Sequence, residues 1–213
     1  MIEADDDYGK LWDVKLEEVH SLLAYLLDPH VSTQHGVKGE SHESVLFVAE
    51  DSTSSSVNVR MYKFFELWSK CDFSLPEFEE FYYKYRKDVL EIEDIVDTSK
   101  ISASEYEGNC KQVIDSRVAD ILQKYAECTF FQVLSKTECE NCQKKRKVTS
   151  IRECFKKNLN LVYGTLQAYR IFYVGCSRAK ENLTILVKKK EISGFADEFR
   201  RKAQDTGFIV EML

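Results

Sequence analysis

Two prolines, Pro29 and Pro76, and eight glycines in 213 residues are too few turn-formers for a sandwich of short strands. That scarcity points to a helix-rich chain. Basic charge is also short, with 30 Lys and Arg against 36 Asp and Glu and a net charge of -6. A free-standing nucleic-acid binder is usually basic, so any such contact is expected to be a local patch or to be shared with another domain. No apolar run reaches the roughly 18 residues a membrane span needs. Residues 1–7 (MIEADDD) have neither a basic n-region nor an apolar h-region. The seven cysteines are odd in number and lack the spacing of a secreted disulfide scaffold. Reduced thiols in a cytoplasmic protein are the plain expectation.

What is present suffices for a packed core. Hydrophobic residues make up 44% and charged residues 31%, which excludes global disorder. The length fits one α/β domain with an embellishment, or one domain and a half. Leu11, Val14, Leu16, Val19, Leu22, Leu23 and Leu26 recur at helical spacing over residues 10–27, and Asp28-Pro29 ends that helix. Residues 45–49, 171–174 and 183–187 are short apolar runs, each suited to a strand buried on both faces of a parallel sheet, and 208–210 suits a terminal strand. Helices are expected over 61–71, 76–95, 111–126 and 196–203. The polar stretch 51–56 reads as a loop. The pattern predicts an α/β fold with a mainly parallel sheet flanked by helices. Residues 1–50 and 158–213 form the sheet domain in this reading, and 51–157 an inserted helical subdomain with a Cys-rich segment.

Two segments carry chemistry. Residues 32–42 (STQHGVKGESH) offer hydroxyl, imidazole, ammonium and a glycine-flexed backbone, a set able to touch phosphate oxygens. A turn of this composition is more often plain structure. Residues 169–183 (YRIFYVGCSRAKENL) place Ser177, Arg178 and Lys180 directly after the apolar run 171–174. If that run is a strand, Arg178 sits at its carboxyl end, where open α/β sheets place ligands and where a guanidinium can stabilise charge on a transferred phosphoryl group. A surface Arg and Lys capping a sheet edge is the bland alternative.

Taken together, the two segments resemble UvrD/Rep-type superfamily 1 DNA helicases. Thr33-x-His35-x-x-Lys38-Gly39 looks like their motif V. Arg170-Ile-Phe-Tyr173-Val174-x-x-Ser177-Arg178-Ala179-Lys180 looks like their motif VI. The two segments together cover about an eighth of the chain. The resemblance implies a RecA-like fold of the P-loop NTPase type, forming the second, C-terminal motor domain of an ATP-dependent DNA helicase. Arg178 is then the arginine finger that reaches the γ-phosphate of ATP, supported by Tyr173, Ser177 and Lys180. Thr33 and His35, with Lys38, contact single-stranded DNA, and Gly39 lies near the nucleotide. Lys38-Gly39 is followed by Glu40-Ser41-His42 rather than the commoner Leu-Glu-Phe, so Glu40 is the candidate carboxylate for the ribose.

No G-x-x-x-x-G-K-[ST] loop occurs, so nothing in this sequence cradles the β- and γ-phosphates. The implied partners are therefore an N-terminal RecA-like domain of the same protein, which mainly holds ATP and Mg²⁺, and single-stranded DNA. A nuclease or other repair or defence partner is a further expectation. A helicase-like module without catalysis, acting as a nucleic-acid or protein platform, is the alternative that the absent loop favours.

Cys139-Glu-Asn-Cys142 is a CxxC, and with Cys128 and Cys154 it supplies four thiolates for a candidate zinc site. Free thiols are the competing reading. The run 144–147 (KKRK) is a solvated face or a phosphate-backbone contact. Phe78, Phe81, Tyr82, Tyr83 and Tyr85 recur at helical spacing, which favours core packing over base stacking. Cys176 has no base nearby in sequence and reads as a small buried side chain.

Overall fold

A computed structural model describes residues 41–53, 58–95, 110–145 and 148–211, together with Glu17, His20 and Leu23. The chain divides into two units, Met1–Ser41 and His42–Leu213. Of the first unit, Glu17, His20 and Leu23 are helical and exposed, within the helix predicted over 10–27.

The described elements of the second unit run β1 (His42–Val48), β2 (Ser52–Thr53), β3 (Asn58–Val59), α1 (Met61–Lys70), α2 (Leu75–Ile95), α3 (Lys111–Lys124), α4 (Thr129–Leu134), α5 (Lys136–Gln143), α6 (Val148–Cys176), β4 (Ala179–Leu186) and α7 (Ala196–Asp205). The fold is thus mixed α/β and mostly helical. β1 and β4 form a two-stranded parallel sheet, and β2 and β3 pair antiparallel. No helix among the described residues is long and apolar enough to cross a membrane.

Local chemistry sets the helix limits. Ser74 and Glu77 form a capping box at the start of α2: the Ser74 N–H donates to Glu77 Oε2 at 2.6 Å, and the Glu77 N–H donates to Ser74 Oγ at 3.4 Å. Pro76 fits there because a first-turn residue needs no N–H partner. Along α2 the buried positions Phe78, Phe81, Tyr85, Val89 and Ile92 follow the helical repeat.

Two apolar clusters share two helices. The larger gathers Leu67 of α1 with α2, α3, α4, α5 and α6 as far as Leu166, around Tyr85, Phe131 and Phe155. The smaller joins the sheet to α1 and α7, around Ala49, Phe64, Phe65 and Ala168. α6 contributes Phe155 and Leu166 to the first and Ala168 to the second. The boundary expected at 157/158 therefore falls inside one continuous helix.

Three expectations need correction. Residues 171–174 are not a strand but lie within the last two turns of α6. Four apolar residues alone do not distinguish strand from helix; here Val162, Leu166, Tyr169 and Phe172 extend the three-to-four-residue repeat through them. Residues 208–210 form no strand. The strands are also not covered on both faces. Leu46, Val48 and Leu186 are 61%, 54% and 41% exposed, while Val45, Phe47, Leu183 and Ile185 on the other face turn inward.

Candidate functional site

α6 ends at Cys176, and its last carbonyls are satisfied locally. The Ser177 N–H donates to Tyr173 O at 2.9 Å, the Ser177 hydroxyl to Val174 O at 3.1 Å, and the Arg178 N–H to Gly175 O at 3.3 Å. The chain enters β4 at once, and the carbonyl of Arg178 accepts the N–H of His42 at 2.9 Å. His42 is the last residue of the segment 32–42 and the first of β1. From there β1 and β4 run parallel, Val45 opposite Leu183 and Phe47 opposite Ile185. Arg178 therefore lies at the amino end of a strand, just past a helix C-terminus, and not at a strand's carboxyl end. The switch-point rationale for ligand binding at strand carboxyl ends falls away. A cation just after the negative end of a helix dipole replaces it as the local electrostatic fact.

Gly175 makes this approach possible. A Cβ built there would lie 2.5 Å from Phe47 Cδ2, so ring and helix backbone touch directly. Phe47 also packs edge-on against Phe172, with centroids 5.5 Å apart. The helix end is thereby held against the sheet while Tyr173 (61% exposed), Ser177 and Lys180 face outward. Burial pushes the Cys176 thiol up to about 11, which leaves it protonated and unsuited to nucleophilic work.

The opposite end of the sheet is tied by Tyr62. Its hydroxyl donates to Ala49 O at 2.9 Å and accepts the Lys188 N–H at 3.3 Å, so one side chain joins the residues that follow β1 and β4. Burial raises its pKa, and the ring stays neutral.

Thr33, His35, Lys38, Gly39 and Glu40, expected to meet DNA or nucleotide, lie outside the described residues. So do Arg146 and Lys147 of the basic run, while Lys144 and Lys145 are exposed.

The four cysteines of the candidate metal site are not gathered together. Cys142 and Cys154 form a disulfide that ties α5 to α6, with Cα atoms 5.9 Å apart. The expectation of uniformly reduced thiols is corrected at this pair; Cys71, Cys110, Cys128, Cys139 and Cys176 are free. Cys139 is buried, with its sulfur 3.1 Å from the Tyr85 hydroxyl, and that hydroxyl donates to Asn158 Oδ1 at 2.6 Å. Burial pushes the Cys139 thiol up to about 11. Among the described residues, no group of three or more His, Cys, Asp or Glu side chains is placed to hold a metal ion.

The aromatic run on α2 divides by depth. Phe78, Phe81 and Tyr85 are in the core, as their spacing suggests, but Tyr82 is half-buried and Tyr83 is 59% exposed. The periodicity that marks Phe78, Phe81 and Tyr85 as core also leaves Tyr83 off that face. That signal was legible in the sequence.

No family model matches the chain, and no curated protein or solved structure matches it.

Proposed function

We propose that the chain is the second RecA-like motor domain of a UvrD/Rep-type DNA helicase, with Arg178 acting as an arginine finger toward ATP held by another domain. The observation that carries this reading is the pairing of His42, the last residue of one motif-like segment, with Arg178 of the other. Segment 32–42 leads into β1 and segment 169–178 leads into β4, and the two strands begin side by side at His42 and Arg178. In this reading Arg178 supplies positive charge to the transferred phosphoryl group, and Tyr173, Ser177 and Lys180 surround it. Thr33, His35 and Lys38 take the backbone of single-stranded DNA, and Gly39 and Glu40 lie toward the nucleotide. Mg²⁺ and the phosphate cradle belong to the partner domain. The exposed aliphatics Leu46, Val48 and Leu186 on the sheet's outer face also suit a fold completed by further structure.

The test is ATP turnover in a protein that joins this chain to its phosphate-loop domain. Arg178→Ala should lower single-strand-stimulated kcat by about 10³-fold or more while DNA affinity changes little. Wild-type turnover in that variant would end the finger assignment. A second reading, a helicase-like platform without catalysis, draws on the absence of a G-x-x-x-x-G-K-[ST] loop from this sequence. Lack of turnover in the joined wild-type protein, with retained DNA binding, would favour it.

A further inference from the structure

We infer that a stripe of tyrosines and cations along α2 and α6 is a second binding surface for single-stranded DNA, separate from segment 32–42. The inference rests on the motor reading for the choice of ligand and on the geometry below for the site.

α2 and α6 pack antiparallel, with Glu79 against Arg170, Tyr82 against Tyr163 and Tyr85 against Asn158. Their shared outer face carries three tyrosines in ring contact. Tyr82 lies 5.3 Å from Tyr83 and 5.6 Å from Tyr163, centroid to centroid. Tyr83 and Tyr163 are 59% and 40% exposed. Rings clustered this way and left open to solvent forgo the burial that usually accounts for an aromatic. They present π-faces that every base can stack on.

Charge favours the same occupant. α6 has four basic residues, Arg152, Lys156, Lys157 and Arg170, against one acid, Glu153, in a chain whose net charge is -6. Lys156, Tyr163 and Arg170 recur every seven residues, so they share one face of α6, and Ser177 follows seven residues on, just past the helix end. Lys156 to Arg170 spans about 21 Å at the helical rise per residue, a length that serves several nucleotides. α2 carries seven acids against three bases, but the two acids within four residues before Tyr83 are both paired. Glu79 pairs with Arg170 at 2.6 Å and Glu80 with Lys84 at 2.5 Å, leaving exposed Arg86 and Lys87 beside the rings. Arg170, held by Glu79 and in contact with Tyr83, fixes the rings rather than gripping phosphate. The stripe ends at Tyr173, Ser177 and Arg178, so a strand bound along it arrives at the candidate nucleotide edge.

The experiment is fluorescence anisotropy of a labelled 20-nucleotide oligo-dT with the full chain, without nucleotide. Tyr83→Ala and Tyr163→Ala should each weaken binding about tenfold, within the range for losing one stacked base. Tyr83→Phe and Tyr163→Phe should bind as wild type, because they keep the ring and lose only the hydroxyl. Lys156→Ala should flatten the dependence of log affinity on log salt by roughly 0.7, the value for one single-strand phosphate contact. Folding of each variant is checked by its urea midpoint. Well-folded Ala variants with unchanged affinity overturn the proposal, as does a wild-type chain that does not bind the oligonucleotide. Competition by heparin that is equally strong against wild type and the Ala variants also overturns it, since that shows charge alone. Arg178→Ala in the protein joined to its phosphate-loop domain separates the two ideas: lost ATP turnover there with unaffected Tyr variants removes only the stripe, and unaffected turnover with weakened Tyr variants removes only the finger.

Discussion

The N–H of His42 donates to the carbonyl of Arg178 across 2.9 Å, and this bond joins segments 136 positions apart at the amino ends of two parallel strands. Arg178 is held from both sides, since its own N–H reaches Gly175 O at the end of α6. A guanidinium whose backbone is fixed by helix and sheet together has little main-chain freedom left to lose on meeting a ligand. That preorganisation is what a residue stabilising transferred charge requires.

Gly175→Ala tests how far the helix end depends on contact with the sheet. The added methyl would lie 2.5 Å from the Phe47 ring, and that ring is already engaged edge-on by Phe172. Overpacking of this kind costs about 1–3 kcal/mol, so the urea midpoint should fall. Phe47→Leu in the same chain should recover part of the loss. A midpoint equal to wild type for Gly175→Ala would show that the contact gives way freely.

Tyr62→Phe removes one hydroxyl and leaves two backbone groups short of a partner, the Ala49 carbonyl and the Lys188 N–H. Losing a buried hydrogen bond costs about 1–3 kcal/mol where a partner is stranded. The variant should be less stable, with amide exchange quickening first near Leu186 and Lys188. Unchanged exchange there would mean that the strands hold their register without the clasp.

Much of the fold was legible in the sequence because periodicity survives in it. The repeat of Phe78, Phe81, Tyr85, Val89 and Ile92 marks α2, and the apolar runs near Phe47 and Ile185 mark β1 and β4. Misreading 171–174 as a strand came from a window shorter than the helix around it. Val162 and Leu166 carry the evidence of period, and they lie outside that run. The outward face of Leu46, Val48 and Leu186 was illegible for a different reason, since a hydrophobic run does not say whether both faces are covered. For the candidate site, sequence singled out Arg178 but gave it the wrong end of a strand. The pairing of Cys142 with Cys154 depends on how α5 meets α6, and no local pattern encodes that.

The Cys142–Cys154 disulfide should be visible in stability. It closes a loop of sequence separation 12 between α5 and α6. Chain-entropy arguments put closure of such a loop at about 3 kcal/mol. Reductant should lower the urea midpoint, a Cys142→Ala/Cys154→Ala chain should match the reduced wild type, and a metal chelator should do nothing in either. Loss of stability with chelator and none with reductant would instead restore the four-cysteine metal site.

Alkaline pH should unfold the chain earlier than its neutral stability suggests. Burial raises the Tyr85 and Tyr125 hydroxyls, with the Asp88 carboxylate adding to the effect at Tyr125, and it pushes the Cys139 and Cys176 thiols up to about 11. In the unfolded chain thiols titrate near about 8.5 and tyrosines near about 10. Each folded value thus lies above its unfolded one, so the folded state holds more protons across that window and unfolding releases them. The thiols' contribution is complete below about pH 8.5 and is lost as pH rises through about 11, while that of the tyrosines starts to fall only above about pH 10. Urea midpoints should be level from pH 7 to 8 and fall steadily from 9 to 11. Cys176→Ala should make that fall shallower without moving its onset, because the Cys139 thiol still begins it. A midpoint level through pH 11 would mean that these groups ionise without unfolding, and that the burial described here opens readily to water.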